Sequence, residues 1–222
     1  MSLDARTTIV LPTLNEERNI GRMVDTLRRL YPRATLLVAD DGSTDQTQHV
    51  AREHGAQVLD RSSCAVKGIT AAVLDAFRRV RTDYVVVLDA DFQHPPEAVA
   101  EILLELRTAD LVIGVRRKII GHWGVPRHAA SRLGGMLAQV RLRRSVRDPL
   151  SGFFGVRTAL LHGLPIDRFE LRCFKVLFQI LKQLDFASTM VRSVPYDFGV
   201  RHAGASKLGV RQTLYFMKSL VR

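Results

Sequence analysis

The first half of the chain alternates short apolar runs with longer segments whose apolar residues recur at helical spacing. Thr7 to Leu11 (TTIVL) is β-branched and short, and predicts a strand. Asn15 to Leu30 follows, with Ile20, Met23, Val24, Leu27 and Leu30 on one face of a helix. Ala34 to Ala39 reads as a buried strand, Asp45 to His54 as a helix with capping residues from Ser43 to Asp45, and Ala56 to Leu59 as a short strand. Val66 to Val80 reads as a helix and Asp83 to Leu88 as a strand. Pro95 and Pro96 suit the first turn of a helix running to about Leu106, and Asp110 to Ile113 forms the next strand.

The second half is less regular. Pro126 to Arg144 predicts an amphipathic helix with Ala130, Leu133, Leu137 and Val140 on one face. Phe153 to Val156 predicts a strand, and Leu171 to Leu184 a helix. Ser188 to Phe198 reads as extended, Gly199 to Gly209 as a basic, glycine-containing loop, and Leu208 to Arg222 as a helix. Strand–helix alternation with continuously apolar strands implies an α/β fold: a mainly parallel central sheet with helices on both faces. In such a sheet ligands bind beyond the carboxyl ends of the strands. The residues that follow the strands are Pro12 to Glu17, Asp40 to Ser43, Asp89 to His94, and Gly114 to Arg117.

At 222 residues, 46% hydrophobic and 25% charged, the chain fits one globular domain with a sizeable core. Its net charge of +11 is unevenly spread. Residues 1–111 hold 13 Lys/Arg and 17 Asp/Glu, whereas residues 112–222 hold 20 and 5. The acid-free stretch from Leu111 to Arg147 carries nine basic residues. The second half therefore faces something anionic: phosphate, anionic lipid or nucleic acid. Cys64 and Cys173 are isolated, which argues for a reducing compartment and against a zinc site. The polar N-terminal segment argues against a secretory leader, and no apolar run is long enough to span a bilayer.

Asp89 and Asp91 sit one residue apart after an apolar strand. Their carboxylates are hard oxygen ligands suited to Mg²⁺ or Mn²⁺ where a substrate adds phosphate oxygens, and Gln93 supplies a further carbonyl oxygen or orients a metal-bound water. Asp40 and Asp41, and Asn15 and Glu16, follow two other strands; one of the two aspartates has the chemistry to accept a guanine N–H or a ribose hydroxyl. Each of these groups is also good turn or cap chemistry. Together they predict an acidic crevice that needs a cation before it holds a diphosphate.

At these residues the sequence resembles family 2 glycosyltransferases of the GT-A fold. The resemblance rests on Pro12-Thr13-Leu14-Asn15-Glu16-Glu17, Asp40-Asp41-Gly42-Ser43-Thr44-Asp45 and Asp89-Ala90-Asp91. The run Asp91 to Glu97 (DFQHPPE) is similar to dolichol-phosphate mannose synthases, as are Gly114-Val115-Arg116, Arg127 through Ser131, Asp148 to Phe154, and Gly204-Ala205-Ser206-Lys207. The likeness spans about residues 7–210. It implies that Pro12, Leu14, Glu16, Val38 and Asp40 line a nucleotide pocket that Ala90 adjoins, that Asp89, Asp91 and Gln93 form a metal site, and that Arg116, Arg201 and Lys207 lie near the phosphates. It implies that Arg127 and Ser131, with Lys175 and Arg116, hold a lipid phosphate. Residues 1–111 would then be a donor- and metal-binding half, 112–210 an acceptor-binding half, and 208–222 a membrane-facing helix. Leu14 stands where tyrosine is common in the family, which removes a stacking ring.

The activity so implied is inverting transfer of mannose from GDP-mannose to a dolichyl or polyprenyl phosphate, with Asp91, Arg116, Arg201 and Lys207 carrying it. The runner-up is transfer from UDP-glucose to undecaprenyl phosphate; His94 before Pro95-Pro96 favours mannose by resemblance alone. A phosphate acceptor is already largely anionic at neutral pH, so no general base is required. The expected setting is the cytoplasmic face of a membrane, with a membrane surface, and in some relatives an anchoring partner subunit, as partners. Many relatives continue past the position of Arg222 into membrane helices. A nucleic-acid-binding module would explain the basic half but not the acidic strand ends, so nucleic acid is not an expected partner. A dinucleotide-dependent oxidoreductase would need a GxGxxG after the first strand, and none is there. A scaffold that keeps the fold without turnover is the remaining alternative.

Overall fold

The computed structural model describes residues 2–120, 125–203 and 210–221, the side chains of 125–130, 210–213 and 221 excepted. In chain order the elements are β1 (Thr7–Thr13), α1 (Glu17–Leu30), β2 (Thr35–Asp40), α2 (Thr47–Glu53), β3 (Gln57–Asp60), α3 (Ile69–Arg79) and β4 (Tyr84–Val87). They continue as α4 (Val99–Glu105), β5 (Leu111–Ile119), α5 (Val125–Leu142), β6 (Phe154–Arg157), α6 (Thr158–His162), α7 (Val176–Leu181), β7 (Val191–Phe198) and α8 (Val210–Val221). One seven-stranded sheet runs through both halves of the sequence in the order β3-β2-β1-β4-β6-β5-β7. β6 is antiparallel to both its neighbours, and every other pairing is parallel.

The apolar strands are apolar at every position because each face is covered. Successive side chains alternate sides, so Ile9, Leu11, Leu36, Val38, Val86 and Leu88 pack with Ile20, Met23, Val24 and Leu27 of α1 and with Ile102 of α4. Val10, Leu37, Ala39, Val85 and Val87 face the other way, onto Val73, Leu74 and Phe77 of α3 and Leu177 and Ile180 of α7. A smaller cluster of Ala138, Leu150, Cys173, Phe178 and Phe216 seats α5 and α8. Both cysteines are free thiols.

Two expectations change. The polar run Gly114 to Arg117 is not a loop after β5: the strand continues to Ile119, held by pairing with β7 from Leu111↔Val191 to Ile119↔Phe198. Its outer residues look loop-like because they project beyond the covered part of the sheet. The helix expected over Leu171 to Leu184 is confined to Val176–Leu181. On α5, Leu133 and Val140 are exposed with Met136, at 58%, 75% and 65%, while Ala138 is buried and Gly134 lies against Leu150. Among the described residues no helix is long and apolar enough to cross a membrane.

Gly114 marks the closest approach between β5 and the strand beside it. A Cβ there would lie 2.4 Å from Phe153 Cδ1 and 2.9 Å from the Phe153 carbonyl oxygen, and backbone cannot rotate aside as a side chain can. Gly114→Ala is expected to lower stability by about 1–3 kcal/mol through overpacking, read as a lower midpoint in chemical denaturation.

Candidate active site

β4 is central, and its carboxyl end opens into a cleft bearing Asp89 and Asp91. The Asp89 carboxylate is 43% exposed and that of Asp91 3%. Asp91 Oδ1 accepts the Gln93 backbone N–H at 3.0 Å, which closes a tight turn. Phe92, inside that turn, has φ +64°, a conformation that costs a bulky residue energy. Burial, then the neighbouring Asp89 charge, push Asp91 above its ordinary range. Burial would push Asp89 up as well, but the hydrogen bond from His94 and the charges of Lys175 and Arg201 outweigh it and hold Asp89 below its usual value. Two carboxylates so placed are pulled apart in acidity by their surroundings.

Arg201 closes the cleft from above. Its guanidinium sits 2.7 Å from Asp91 Oδ2 and 3.8 Å from Glu16 Oε1, so two of the three predicted acidic strand ends meet at one cation. The segment carrying Arg201 is tied down on both sides. Gly199 N donates to the Gln93 carbonyl at 2.8 Å and His202 N to the Asp91 carbonyl at 3.1 Å. Asn19 Nδ2 donates to the Ala203 carbonyl at 3.2 Å and to Glu16 Oε2 at 2.7 Å. Lys207 lies outside the described residues.

Asp40 takes a different part. It is fully buried, and its two oxygens accept from Thr13 Oγ1, Gly42 N, Ser43 N, Ser43 Oγ and Gln48 Nε2. The carboxylate therefore builds the β2 turn and is not turned towards Arg201. Asp41 beside it is paired with Arg61 and accepts the Gly68 N–H at 2.6 Å; burial pushes it up. Pro12 lies near the end of β1, half-buried, and Leu14 is exposed at the mouth of the cleft. Val38 has no exposed surface and packs in the core, Ala90 is buried, and Gln93 is buried with its amide 3.4 Å from the Gly199 carbonyl.

The basic wall stands on β5. Arg116 forms a bidentate pair with Asp148, both contacts at 2.7 Å, and lies over the Phe198 ring. The resemblance implies a place near the phosphates for Arg116. Asp148, the first acid after the acid-free stretch, already holds two of its N–H groups. Arg116, Ser131, Arg132, Arg147 and Asp148 line an open cavity of about 380 Å³. A larger one, of about 480 Å³, lies away from the strand ends between Arg141, Arg168, Lys182 and Ser219. Lys175 donates to the Leu150 carbonyl at 2.9 Å, and feels the charges of Arg116, Asp148 and Asp89, so it stands between the basic wall and the cleft. Arg127 belongs to α5, but its side chain lies outside the described residues.

Among the described residues no three His, Cys, Asp or Glu side chains converge as a ready-made metal cage. The cleft nonetheless suits a hard divalent cation that keeps waters and takes substrate oxygens. Asp89 offers a partly exposed carboxylate. Gly152 leaves open the space beside it, where a Cβ would come within 3.3 Å of Asp89 Oδ2. Asp91 already binds a positive group, the Arg201 guanidinium. Sequence reasoning missed Asp148, Arg61, Tyr196 and the clamp around residue 201. Of these only Asp148 left a signal, its place at the end of a long basic run.

An open α/β sheet with an acidic cleft at its central strand ends and a basic wall beside it defines a nucleotide-sugar transferase of the GT-A architecture. The chain belongs to glycosyl transferase family 2, whose model matches residues 8–164. It is 29% identical over 229 residues to a dolichol-phosphate mannosyltransferase of Pyrococcus furiosus, covering 98% of this chain and 63% of that protein. It is 26% identical to the Saccharomyces cerevisiae dolichol-phosphate mannosyltransferase over 96% of this chain and 85% of the relative, and 28% identical to an undecaprenyl-phosphate mannosyltransferase of Micrococcus luteus over 91% and 87%. The chain thus spans somewhat under two thirds of the length of the Pyrococcus protein. Among solved structures it resembles glucosyl-3-phosphoglycerate synthase of Mycobacterium tuberculosis in complex with Mn²⁺, UDP-glucose and glycerol 3-phosphate. There the TM-score is 0.69 at 26% identity, over 99% of this chain and 80% of the other.

Lys175 gives a signed expectation. Desolvation first, then repulsion from Arg116, pushes its ammonium down to about 8 from an ordinary 10.5. Between those values the unfolded chain binds more protons than the folded one. The stability deficit due to this lysine is therefore complete below about pH 8 and is relieved as pH rises towards 10.5. The difference in unfolding free energy between the native protein and Lys175→Met should shift in favour of the native protein across that window. A difference that stays flat with pH would refute the assignment.

Proposed function

We propose that this protein transfers a mannosyl unit from GDP-mannose to a polyprenyl phosphate at a membrane surface, with inversion at the anomeric carbon. The observation that carries the reading is an acidic cleft at the end of β4, holding Asp89 and Asp91, beside a basic cavity containing Arg116, Ser131, Arg132 and Arg147. One pole suits a donor diphosphate with its cation, the other a phosphate monoester. Relatives named dolichol-phosphate and undecaprenyl-phosphate mannosyltransferases support the choice of sugar and acceptor.

In this mechanism an oxygen of the acceptor phosphate attacks the anomeric carbon as the bond from that carbon to the donor diphosphate breaks. GDP leaves with the electron pair, and the sugar ends β-linked to the lipid phosphate. The acceptor oxygen is already ionised, so no side chain has to remove a proton. A divalent ion, Mg²⁺ or Mn²⁺, held by Asp89 and Asp91 with Gln93 nearby, would neutralise the diphosphate as its charge grows. Arg201 adds fixed positive charge at the leaving group, and the resemblance gives Lys207 the same role. Glu16 orients Arg201. Pro12, Leu14 and the turn built by Asp40 form the floor for the nucleoside, with Val38 and Ala90 supporting it from the core. Ser131 and the arginines of the basic cavity hold the acceptor phosphate, a role the resemblance also gives Arg127, and Lys175 keeps the two anionic sites apart in charge.

Membrane contact fits the exposed stripe of Leu133, Met136 and Val140 on α5 and Leu214 and Met217 on α8, which stands among Arg132, Arg143, Arg144 and Lys218. Basic residues near anionic lipid contribute about 1 kcal/mol each, and apolar side chains insert without spanning. The expected location is the cytoplasmic face, where an anchoring subunit is a further partner.

A UDP-sugar donor is the second reading, favoured by the likeness to a synthase solved with UDP-glucose. Radiolabelled GDP-mannose and UDP-glucose, offered separately with a polyprenyl phosphate and Mg²⁺ or Mn²⁺, decide between them. Asp91→Ala should lose turnover by at least 10³-fold, roughly the weight of one charge-stabilising group, while remaining folded. Near-normal rates for that variant in the presence of a chelator would end the mechanism. In flotation assays the protein should rise with vesicles containing anionic lipid and less with neutral ones, and Met136→Glu with Val140→Glu should weaken that association.

A further inference from the structure

His94 is 3% exposed and hydrogen-bonded through both ring nitrogens. Nε2 lies 3.3 Å from Asp89 Oδ2, and Nδ1 lies 2.8 Å from the Tyr196 hydroxyl. An ionised carboxylate only accepts, so Nε2 carries a proton and donates to Asp89. Burial pushes the Tyr196 phenol well above its ordinary range. Its hydroxyl shares a hydrogen bond with Nδ1, which ties the ring to β7.

The ring cannot turn away from this arrangement. Phe153, Tyr196 and Phe198 surround it at centroid distances of 5.6, 5.5 and 5.4 Å, and the Phe198 contact is edge-on at 77°. Gly152 guards the hydrogen bond itself. A Cβ there would stand 3.2 Å from His94 Nε2 and 3.3 Å from Asp89 Oδ2, on top of the contact. Tyr196 belongs to β7 and is the register partner of Arg116 on β5. The chain Tyr196–His94–Asp89 thus runs from the strands of the basic wall to the partly exposed carboxylate of the acidic cleft.

We infer that His94 and Tyr196 are positioning residues which fix the orientation of the Asp89 carboxylate for a divalent cation. The inference rests on the functional reading above and deepens it. A histidine buried among aromatic rings is most often a piece of core. Here one ring nitrogen faces a carboxylate open to the cleft, and the other ties the ring to Tyr196 of β7. Groups that orient a metal ligand in this way typically change metal affinity 10–100-fold when removed.

The test is Mn²⁺ binding, measured by electron paramagnetic resonance with GDP and separately with UDP, alongside thermal unfolding. His94→Phe keeps a ring in the aromatic cage and should weaken Mn²⁺ binding 10–100-fold. His94→Gln keeps an N–H donor and should recover most of that loss. Tyr196→Phe removes one hydroxyl and should weaken binding by a few-fold to about tenfold, with a melting temperature near that of the native protein. Should His94→Phe not fold, Tyr196→Phe decides. Folded variants with native Mn²⁺ affinity would overturn the inference, as would equal losses in His94→Phe and His94→Gln. Native protein that binds no Mn²⁺ with either nucleotide would instead overturn the functional reading, and the relay with it.

Discussion

Two carboxylates one residue apart at the mouth of a buried strand repel each other, and everything around the β4 end answers that repulsion. Arg201 lies against Asp91, His94 donates to Asp89, and Lys175 and Arg201 add charge that favours Asp89 in its ionised form. Without these partners, burial would drive the pair towards protonation and the cleft would lose its negative charge. The partners come from three separate segments of chain. The acidic site therefore exists only when the whole sheet is assembled.

That dependence explains the sheet. β6 enters antiparallel between β4 and β5 and brings Gly152 and Phe153 up against Asp89 and His94. β5 and β7 extend together past the covered part of the sheet, so Arg116 and Tyr196 stand side by side at the register where the basic wall begins. Asp148 holds Arg116 through a bidentate pair and offsets its charge. The wall then repels a cation less than unpaired arginines would, and its open cavity is also lined by Arg132 and Arg147.

Much of this was legible from residues alone. The buried strands announced themselves as apolar runs, and Asp89 and Asp91 drew attention because they follow one. Of the apolar positions read for α1, Ile20, Met23, Val24 and Leu27 meet the core, and Leu30 at the end of the helix is exposed. Other features were not legible. Arg116 stood out as a basic residue, but nothing local shows that Asp148 folds back onto it. Asp40 looked like a ligand-facing carboxylate, yet its turn consumes both of its oxygens. Leu133 and Val140 were legible as one face of an amphipathic helix, but spacing shows which residues share a side, not which side faces inward. His94 stood in plain view between Gln93 and Pro95, but its partner Tyr196 lies 102 residues away.

The sequence by itself determined the alternation of strands and helices, the acidic character of the strand ends and the basic character of the second half. These follow from side-chain periodicity and composition, which act over a turn of helix or a few residues of strand. Only the tertiary structure decided which charges are spent on each other and which remain for a ligand. That choice depends on contacts between β4, β5, β7 and the segment at 199–203, where burial makes an ion pair or a hydrogen bond strong enough to set orientation and acidity. No local pattern records such a contact, because its energy exists only when the distant partner is in place.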